Sequence, residues 1–344
     1  MRFLRTAFVL AALASVDACA RDLSMFGVLR VDLPQPPLET PAPGRWGYSL
    51  DLGYQNTWSM SPNIEDYFEN RQVQRQFTAT DLLFIRTLEG EKFLVDGELG
   101  VIDFTVRRQL DAHWGIRGTV GVVGYTGGFM DSTIEGFHRA FGFRDYLRPS
   151  VPRNLFTVLT EFQNGDSQTR LDAPSSGFLD PEIGVRYSWF ERPEPWNLVL
   201  DAAMKIPVAG RRAYLSNGGW DVGAQATLQG VWGKHVGTAS ASLAYSRGGG
   251  VIETGGYRLA PGMTLGYEYA LTDATRGFAQ GSLYRYPLNS EDTAIGGLRQ
   301  RKSQIEVGFR HRYGDSTFEF SIVEAFGAFN GLPDFGIQLG WSTR

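Results

Sequence analysis

The chain has 344 residues, of which 33 are Lys or Arg and 37 are Asp or Glu, so its formal net charge is −4. A nucleic-acid-binding protein normally carries a clustered basic surface, and this charge balance argues against that class. Hydrophobic residues make up 42% of the chain, yet the mean hydropathy is only −0.20. A membrane protein built of helices would be more apolar, whereas a transmembrane β-barrel can be this polar because half of each strand faces the lumen.

Residues 1–20 have the organisation of a secretory signal peptide. Two arginines precede an apolar stretch at residues 6–16, which is too short to span a bilayer. The sequence Ala-Cys-Ala that follows fits the small-residue cleavage rule, so we expect cleavage after Ala20. The alternative is a lipoprotein anchored at Cys19, to which the preceding Asp17 is a poor match.

Residues 21–44 are rich in proline and include the sequence "LPQPPLETPAPG". Such a composition favours an extended chain without a packed core. We expect a periplasmic segment here that leads into the first strand, followed by a β-barrel over residues 45–344.

The stretch "RWGYSLDLGYQNTW", residues 45–58, alternates large apolar side chains with small or polar ones. One alternation carries Trp46, Tyr48, Leu50, Leu52 and Tyr54, and the other carries Gly47, Ser49, Asp51, Gly53 and Gln55. A soluble sandwich would bury the apolar face in a core, whereas an outer-membrane barrel would turn it towards lipid. The period of two is the same in both folds, so the rest of the chain has to decide between them.

Alternating segments recur to the end of the chain, about twelve in all, and the connections between them alternate in length. The short connections are at 110–113, 191–195, 233–235, 271–276 and 314–316. The long ones are at about 59–97, 127–177, 209–219, 247–261, 288–301 and 327–333. Outer-membrane barrels sort their connections in this way, with short periplasmic turns and long external loops, and a sandwich has no reason to do so.

Tryptophans concentrate at the ends of the predicted strands. Beside the short connections or the chain terminus lie Trp46, Trp114, Trp189, Trp196, Trp232 and Trp341, and at the other end lie Trp58 and Trp220. This distribution is typical of the aromatic belts at the two membrane interfaces. We therefore predict an all-β fold, a transmembrane antiparallel up-and-down β-barrel of about twelve strands, in the outer membrane of a Gram-negative bacterium.

Charges of both signs occupy the positions predicted to face the lumen. Glu182 and Arg186 lie on one predicted strand, and Asp201 and Lys205 lie on the next. Twelve strands enclose a space wider than that of an eight-stranded barrel and narrower than that of a large porin. Such charges either pair across the space and fill it, or line a polar path for a small solute, and the sequence leaves both possibilities open.

The sequence "GGFMDSTIEGFHRAFGF", residues 127–143, departs from the strand pattern. Its apolar residues recur at helical spacing, at Met130, Ile134, Phe137 and Phe141. This spacing predicts a short amphipathic helix in the longest external loop. We expect the helix to fold over or into the barrel mouth, because an apolar stripe would not be left facing water.

Asp131, Glu135 and His138 form a second stripe on the predicted helix. If the helix covers the mouth, these three side chains face the pore entrance and contact a solute there. The alternative is that the stripe is a structural surface without a ligand. The spacing of Glu135 and His138 also matches a carboxylate–imidazole metal pair, but di-metal sites need a second such pair and the sequence has none. We therefore expect no metal and no cofactor.

The helical run, followed by "VPRN" and preceded by "LVDGELGVIDFTVRRQL", resembles the family of domain of unknown function 3187, which comprises Gram-negative outer-membrane barrel proteins without an assigned activity. The resemblance covers most of the mature chain. It implies the fold and the location but no chemistry, and it supplies no catalytic residues. Outer-membrane barrels usually end on an aromatic residue that the assembly machinery reads, whereas this sequence ends "GWSTR".

These features predict a narrow channel or passive uptake barrel for a small solute. The alternative is a structural or surface-interaction barrel with a closed lumen. An outer-membrane acyl hydrolase would need a serine activated by a histidine, and none of the four histidines, at His113, His138, His235 and His311, has a serine two residues on. We expect no enzymatic activity, and as partners outer-membrane lipid, the barrel-assembly machinery and a small solute, but no nucleic acid.

Overall fold

The computed structural model describes residues 21–25, 27–38, 41–71, 73–142, 146–190, 195–210, 214–249, 252–325 and 335–343. Its strands are β1 (Trp46–Met60), β2 (Lys92–Gln109), β3 (Trp114–Thr126), β4 (Thr157–Glu161), β5 (Ser167–Arg170), β6 (Gly177–Phe178), β7 (Glu182–Ser188), β8 (Trp196–Lys205), β9 (Asp221–Trp232), β10 (His235–Ser246), β11 (Arg258–Ala270), β12 (Thr275–Tyr284), β13 (Lys302–Tyr313), β14 (Ser316–Ala325) and β15 (Phe335–Thr343). The helices are α1 (Pro62–Arg71), α2 (Ala79–Thr87), α3 (Asp131–Phe141) and α4 (Gly296–Arg299), with a 3₁₀ turn at Arg148–Ser150. None of the helices in these ranges is long and apolar enough to cross a membrane.

Twelve of the strands form one closed antiparallel barrel, which confirms the predicted fold. Each barrel strand pairs with its neighbours in the chain, and β1 closes the ring by pairing with β15, where Leu50 lies opposite Trp341. Closure leaves no unpaired sheet edge, which is the condition for a sheet to cross a bilayer. The remaining strands, β4, β5 and β6, lie in the long connection after β3; β4 extends the sheet beside β2, β5 pairs with β4, and β6 pairs with β3.

The apolar alternation of each strand faces outward. On β1, Trp46 and Tyr48 are 49% and 41% exposed, whereas the intervening Ser49 is 1% exposed. The same rule holds on β2, where Ile102 and Phe104 are exposed and Asp103 is buried. The opening stretch therefore turns its Trp–Tyr–Leu side towards lipid and its small and polar side towards the lumen, as the sequence predicted.

The aromatic belt is confirmed at the end with short turns and only in part at the other. Trp46, Trp114, Trp189, Trp196 and Trp232 are exposed around the short turns, and Trp220 is exposed at the opposite end. Trp58 was wrongly placed in the belt, since it is only 6% exposed. Its indole Nε1 donates to the carbonyl oxygen of Tyr146 (2.7 Å), so it anchors an external loop instead of meeting lipid.

The hairpin of β1 and β2 continues beyond the lipid-facing band, which the sequence did not predict. The second strand begins at Lys92, inside the long connection predicted at about 59–97, and its register with β1 runs up to the pair Met60 and Leu94. External helices α1 and α2 cover the outward face of this extension and form an apolar cluster of Trp58, Ile64, Phe68, Ile85, Leu94, Val151 and Leu159. Because both faces of the extension are buried, its sequence lacks the alternation that marks a lipid-facing strand.

A pair of adjacent residues on β11 tests the two faces of the wall. Leu265 is exposed on the outer face, and Thr264 faces the lumen, where its hydroxyl lies 3.0 Å from that of Ser282. We expect Leu265→Arg to destabilise the folded barrel by about 2–4 kcal/mol, because it places a charge near the bilayer midplane. Thr264→Arg should cost much less. Urea unfolding in lipid vesicles measures both, and a larger loss for Thr264→Arg would reverse the inside and outside of the barrel.

Candidate functional site in the barrel lumen

The N-terminal segment, described over residues 21–25 and 27–38, lies inside the lumen. Side chains of the inner wall donate to carbonyl oxygens along it: Gln229 to Pro36 (2.9 Å), Gln225 to Pro34 (3.2 Å) and Lys205 to Leu29 (2.6 Å). Leu38 packs on Val236 near a short turn, and Leu29 is bound by Lys205 at the opposite end of β8. Followed from Leu38 back to Leu29, the segment therefore runs along the wall from the periplasmic end to the external end.

This position corrects the expectation that the whole of residues 21–44 forms a periplasmic segment. The chain is extended, as its prolines predicted, but its carbonyl groups bind the wall instead of water. Glycines make room for it: a Cβ atom on Gly53 would lie 2.6 Å from the side chain of Leu23, and one on Gly223 would lie 3.0 Å from that of Leu33. In the sequence, the glutamines and glycines that face inward are the feature that corresponds to this contact. Because such residues also suit a lumen filled with water, they did not predict the position of the N-terminal segment.

At the external end of the lumen the segment turns and runs back towards the periplasmic end. The backbone N–H groups of Gly27 and Val28 donate to the carbonyl oxygen of Ser24 (3.1 and 3.0 Å), which closes the turn. The guanidinium of Arg21 then reaches Asp103 (2.7 Å) and lies 3.7 Å from Glu182. Residues 21–38 thus form a hairpin-shaped plug, with its tip at the external mouth and Arg21 among carboxylates of the wall.

An apolar cluster seals the external mouth around the tip of this plug. The plug contributes Leu23, Met25, Val28 and Leu29. The wall and the external loops contribute, among others, Phe93, Leu99, Phe156, Tyr214, Ile252 and Leu298. Among the described residues, packed apolar side chains therefore occupy the external mouth around the tip of the plug.

Ion pairs narrow the periplasmic half of the lumen. Arg310 contacts Glu268 and donates from Nε to Glu319 (2.5 Å), and Arg276 lies 3.2 Å from Glu268. The guanidinium of Arg310 also lies 4.2 Å from the ring centre of Phe278. These pairs join β11, β12, β13 and β14 across the inner wall and fill the space beside them.

A polar cavity of about 140 Å³ remains between the plug and the wall of β10 to β15. Its wall side is lined mainly by hydroxyl and amide groups, including those of Ser242, Thr264, Gln280, Ser282, Gln304 and Gln338. A cavity of about 20 Å³ lies further towards the ion pairs and shares Gln35 and Gln280 with the larger one. The lumen therefore contains an interrupted polar path. Hydroxyl and amide groups line one side of the larger cavity, and the plug adds the charged residues Arg21, Asp22, Arg30 and Asp32 on the other.

The four charges predicted for the lumen lie on the inner wall and are paired. Arg186 donates to Asp201 (2.7 Å). Lys205 lies 3.1 Å from Asp221 and 3.6 Å from Asp180. Glu182 accepts from the backbone N–H of Asp32 (3.1 Å), which belongs to the plug. The sequence could indicate that these charges face inward, but it could not indicate that Glu182 and Lys205 hold the N-terminal segment.

The predicted helix forms as α3, but it does not enter the mouth. Its apolar residues Met130 and Ile134 pack with Phe335, Tyr54 and Ile337. Tyr54 belongs to the outward alternation of β1, so α3 rests on the outside of the wall at its external end. The apolar stripe does find a dry surface, as expected, and the extended outer face of the barrel provides it. Phe141 ends the helix, and its side chain lies outside the described residues.

Asp131, Glu135 and His138 are accordingly buried under the external loops and not presented at a pore entrance. Asp131 accepts from Asn56 (3.1 Å) and contacts Arg148. Within the described ranges, no group of three or more His, Cys, Asp or Glu side chains comes together as a metal site.

Glu135 holds two arginines at one carboxylate oxygen. Its Oε2 atom accepts from Arg75 (2.7 Å) and Arg153 (2.6 Å). Burial by itself would raise the pKa of the Glu135 carboxyl, but the hydrogen bonds from the two guanidinium groups outweigh burial and lower that pKa to about 2. Glu135 is therefore charged at physiological pH, and the two arginines stay fixed beside it.

Comparison with known proteins agrees with this architecture. A family described as protein of unknown function (DUF3187) matches residues 55–344. The chain belongs to this family. A search of curated proteins gave no sequence match.

Solved structures with a similar fold are outer-membrane barrels. The chain is similar to the COG4313 outer membrane channel from Pseudomonas putida F1, with 12% identity, a TM-score of 0.55 and coverage of 91% of this chain and 99% of that one. It is also similar to the NanC porin, with 7% identity, a TM-score of 0.44 and coverage of 86% and 99%. At 12% identity the likeness to the COG4313 channel concerns the fold, and it supports the outer-membrane type of barrel.

The fit of the plug against the wall can be tested with a cysteine reporter at Met25, in a background carrying Cys19→Ala. Gly53→Val would push Leu23 away from the wall. We expect it to raise the rate at which a water-soluble maleimide labels Met25→Cys by about tenfold, since overpacking costs about 1–3 kcal/mol and 1.4 kcal/mol is a factor of ten in an equilibrium. Gly281→Val, on the outer face of β12, is the control and should leave the rate unchanged. Equal rates in both variants would mean that the plug does not rest on Gly53.

Proposed function

We propose that this barrel is a narrow outer-membrane channel for a small polar solute, and that the N-terminal plug has to shift for the solute to pass. The polar cavity between the plug and the inner wall is the observation that carries this proposal. The hydroxyl and amide groups on its wall side can hydrogen-bond a polar solute without holding it tightly, and the charged side chains on its other side belong mostly to the plug and would move with it. A channel needs this balance, because a solute has to leave its site as well as enter it.

The size of the lumen limits the solute. With the plug in place, the larger cavity has a volume of about 140 Å³, and binding pockets for drug-sized ligands are typically about 300–1,000 Å³. Displacement of residues 21–38 would join the two cavities and open the seal at the external mouth. The ion pairs of Arg310 would then form the narrowest part of the path.

The type of hydrogen bond between the wall and the plug supports the proposal that the plug can be released. Wall side chains bind the plug mostly through its backbone carbonyl oxygens, and such bonds can be exchanged for bonds to water at small net cost. The ion pairs of Arg21 are the exception, since breaking a buried pair leaves uncompensated charges. We infer that residues 34–37, which the wall holds through the carbonyl oxygens of Pro34 and Pro36, shift more easily than Arg21.

The alternative is a barrel whose lumen stays closed and whose role is structural or lies in surface interactions. The apolar cluster at the external mouth favours it, because this cluster resembles a protein core more than a gate. Arg148 and its carboxylate partners Asp96 and Asp131 likewise bind the external loops to the wall. A measurement of transport separates the two roles.

We further propose that the protein has no enzymatic role and that it reaches the outer membrane after removal of residues 1–20 and insertion by the barrel-assembly machinery. His311 supports the first point: its Nδ1 lies 2.9 Å from the hydroxyl of Thr275 at the rim with short turns, and such cross-strand pairs stabilise sheets. The burial of Arg21 in the lumen supports the removal of residues 1–20. An uncleaved hydrophobic leader attached to Arg21 would begin inside a polar space, which is unfavourable for it.

Deletion of residues 22–38 should raise the single-channel conductance of the refolded protein in planar bilayers severalfold over that of the full-length mature chain. The physical reason is that the plug occupies the space between the inner wall of β8 to β10 and the opposite wall. In the deletion variant, Gln304→Trp should lower the conductance again by filling the polar path.

Ile305→Trp is the matched control, because Ile305 is the next residue on β13 and faces outward. It should leave the conductance of the deletion variant unchanged. A deletion variant that migrates as a folded barrel in unheated detergent gels, yet conducts no better than the full chain, would favour the closed-lumen role.

A further inference from the structure

A groove runs along the outer surface of the barrel next to α3. It has a volume of about 470 Å³, and its apolar walls include Leu52, Tyr54, Ile102, Val122, Ile337 and Leu339. The floor of the groove contains Gly100 and Gly124, which lie opposite each other on β2 and β3. Both glycines are on the lipid-facing side of the wall. Because neither has a side chain, the surface that meets the acyl chains has a depression at this cross-strand pair.

Helix α3 sits at the upper end of this groove, at the level of the external membrane interface. The nine residues from Trp46 to Tyr54 match the ~9–11 residues that a tilted strand needs to cross the hydrocarbon region. Phe129, directly before the helix, stacks on Tyr54 with ring centres 5.1 Å apart and is 68% exposed. The apolar surface of the barrel is thus continued by an exposed aromatic ring at the level of lipid headgroups.

Arginine side chains lie beside Glu135 of the same helix. Arg75 and Arg153, which share the carboxylate of Glu135, keep 35% and 46% of their side chains exposed. Arg139, in the last turn of the same helix, is exposed as well. The buried charge of Asp131 is met by Arg148. At the exposed surface, three guanidinium groups therefore accompany the single carboxylate of Glu135. The carboxylates of Asp96 and Glu98 are buried beneath the surface, and Arg148 also lies 3.0 Å from Asp96.

We propose that this surface binds a phosphorylated lipid of the outer leaflet, with a phosphate on Arg75, Arg153 and Arg139 and an acyl chain in the groove. Guanidinium groups form paired, charge-assisted hydrogen bonds with phosphate oxygens. Glu135 holds two of them in place, so little side-chain entropy is lost when a phosphate binds. The groove continues the lipid-facing surface below, which favours a lipid over a soluble anion. The outer leaflet of Gram-negative bacteria consists largely of a phosphorylated, multiply acylated glycolipid of this chemistry.

The test compares thermal unfolding of the full mature protein in detergent with three additives: bisphosphorylated lipid A, its dephosphorylated form and inorganic phosphate. We expect bisphosphorylated lipid A to raise the unfolding midpoint and the other two to have little effect. Equal protection by the dephosphorylated lipid would remove the phosphate contact from the proposal. Equal protection by inorganic phosphate would show a site for a free anion and would overturn the proposal.

Variants then locate the site. The triple variant Arg75→Gln, Glu135→Gln, Arg153→Gln removes both cations without leaving a buried carboxylate unpaired. It should weaken the apparent affinity for bisphosphorylated lipid A about tenfold, because the charge-assisted hydrogen bonds to the phosphate are lost. Arg153→Gln alone keeps the pair of Arg75 and Glu135 and should give a smaller loss, so it serves if the triple variant does not fold. The double variant Arg285→Gln, Arg301→Gln is the control, because both arginines are exposed elsewhere at the external end.

The groove is tested separately. Gly124→Val would fill its floor and should weaken binding of the lipid while leaving the arginines intact. Gly281→Val places the same side chain on the outer face of β12 and should have no effect. Wild-type affinity in the triple variant or in folded Arg153→Gln would overturn the phosphate assignment, and wild-type affinity in Gly124→Val would overturn the acyl-chain assignment.

Discussion

The hydrogen bonds between β1 and β15 are the constraint on which the rest of the structure depends. In a bilayer every backbone N–H and C=O group has to be satisfied within the protein, so the sheet has to close on itself. Once Leu50 lies opposite Trp341, each strand has one face towards lipid and one towards a lumen. The outward alternation is then apolar and the inward one polar, and the same register fixes which charges meet inside.

The closed ring creates an interior that has to be filled or hydrated. This barrel fills most of it, with ion pairs in the periplasmic half and with its own N-terminal segment along β8 to β10. The arrangement costs less than burying isolated charges, because Arg310 and Lys205 each lie between carboxylates, and breaking such pairs would be expensive. The plug itself is held mainly through carbonyl oxygens, which allows an exchange with water. A channel function and a filled lumen are therefore compatible in one molecule.

The external half carries the less regular features. The extension of β1 and β2 above the lipid band supports α1, α2 and α3 on its outward face, and the inward face packs on the tip of the plug. The sequence indicated the helix α3 and its apolar stripe, but the stripe fits any dry surface. Its contact with Tyr54 and Ile337, and the burial of Asp131, Glu135 and His138, depend on residues distant in the chain. No pattern local to residues 127–143 distinguishes the inner rim from the outer wall.

The sequence by itself determined the features that repeat with a period of two. These include the strands, the facing of Leu50 against Ser49, the sorting of short and long connections, and the inward position of Glu182, Arg186, Asp201 and Lys205. Only the tertiary structure decided the location of the N-terminal segment, because an extended proline-rich chain has no periodicity of its own and binds wherever glutamine side chains and glycine gaps receive it. The same holds for α3 and for Trp58, whose partners are distant in the chain. Closure of β1 on β15 brings Tyr54 and Ile337 together beneath α3, and the fold of an external loop brings the carbonyl oxygen of Tyr146 to Trp58.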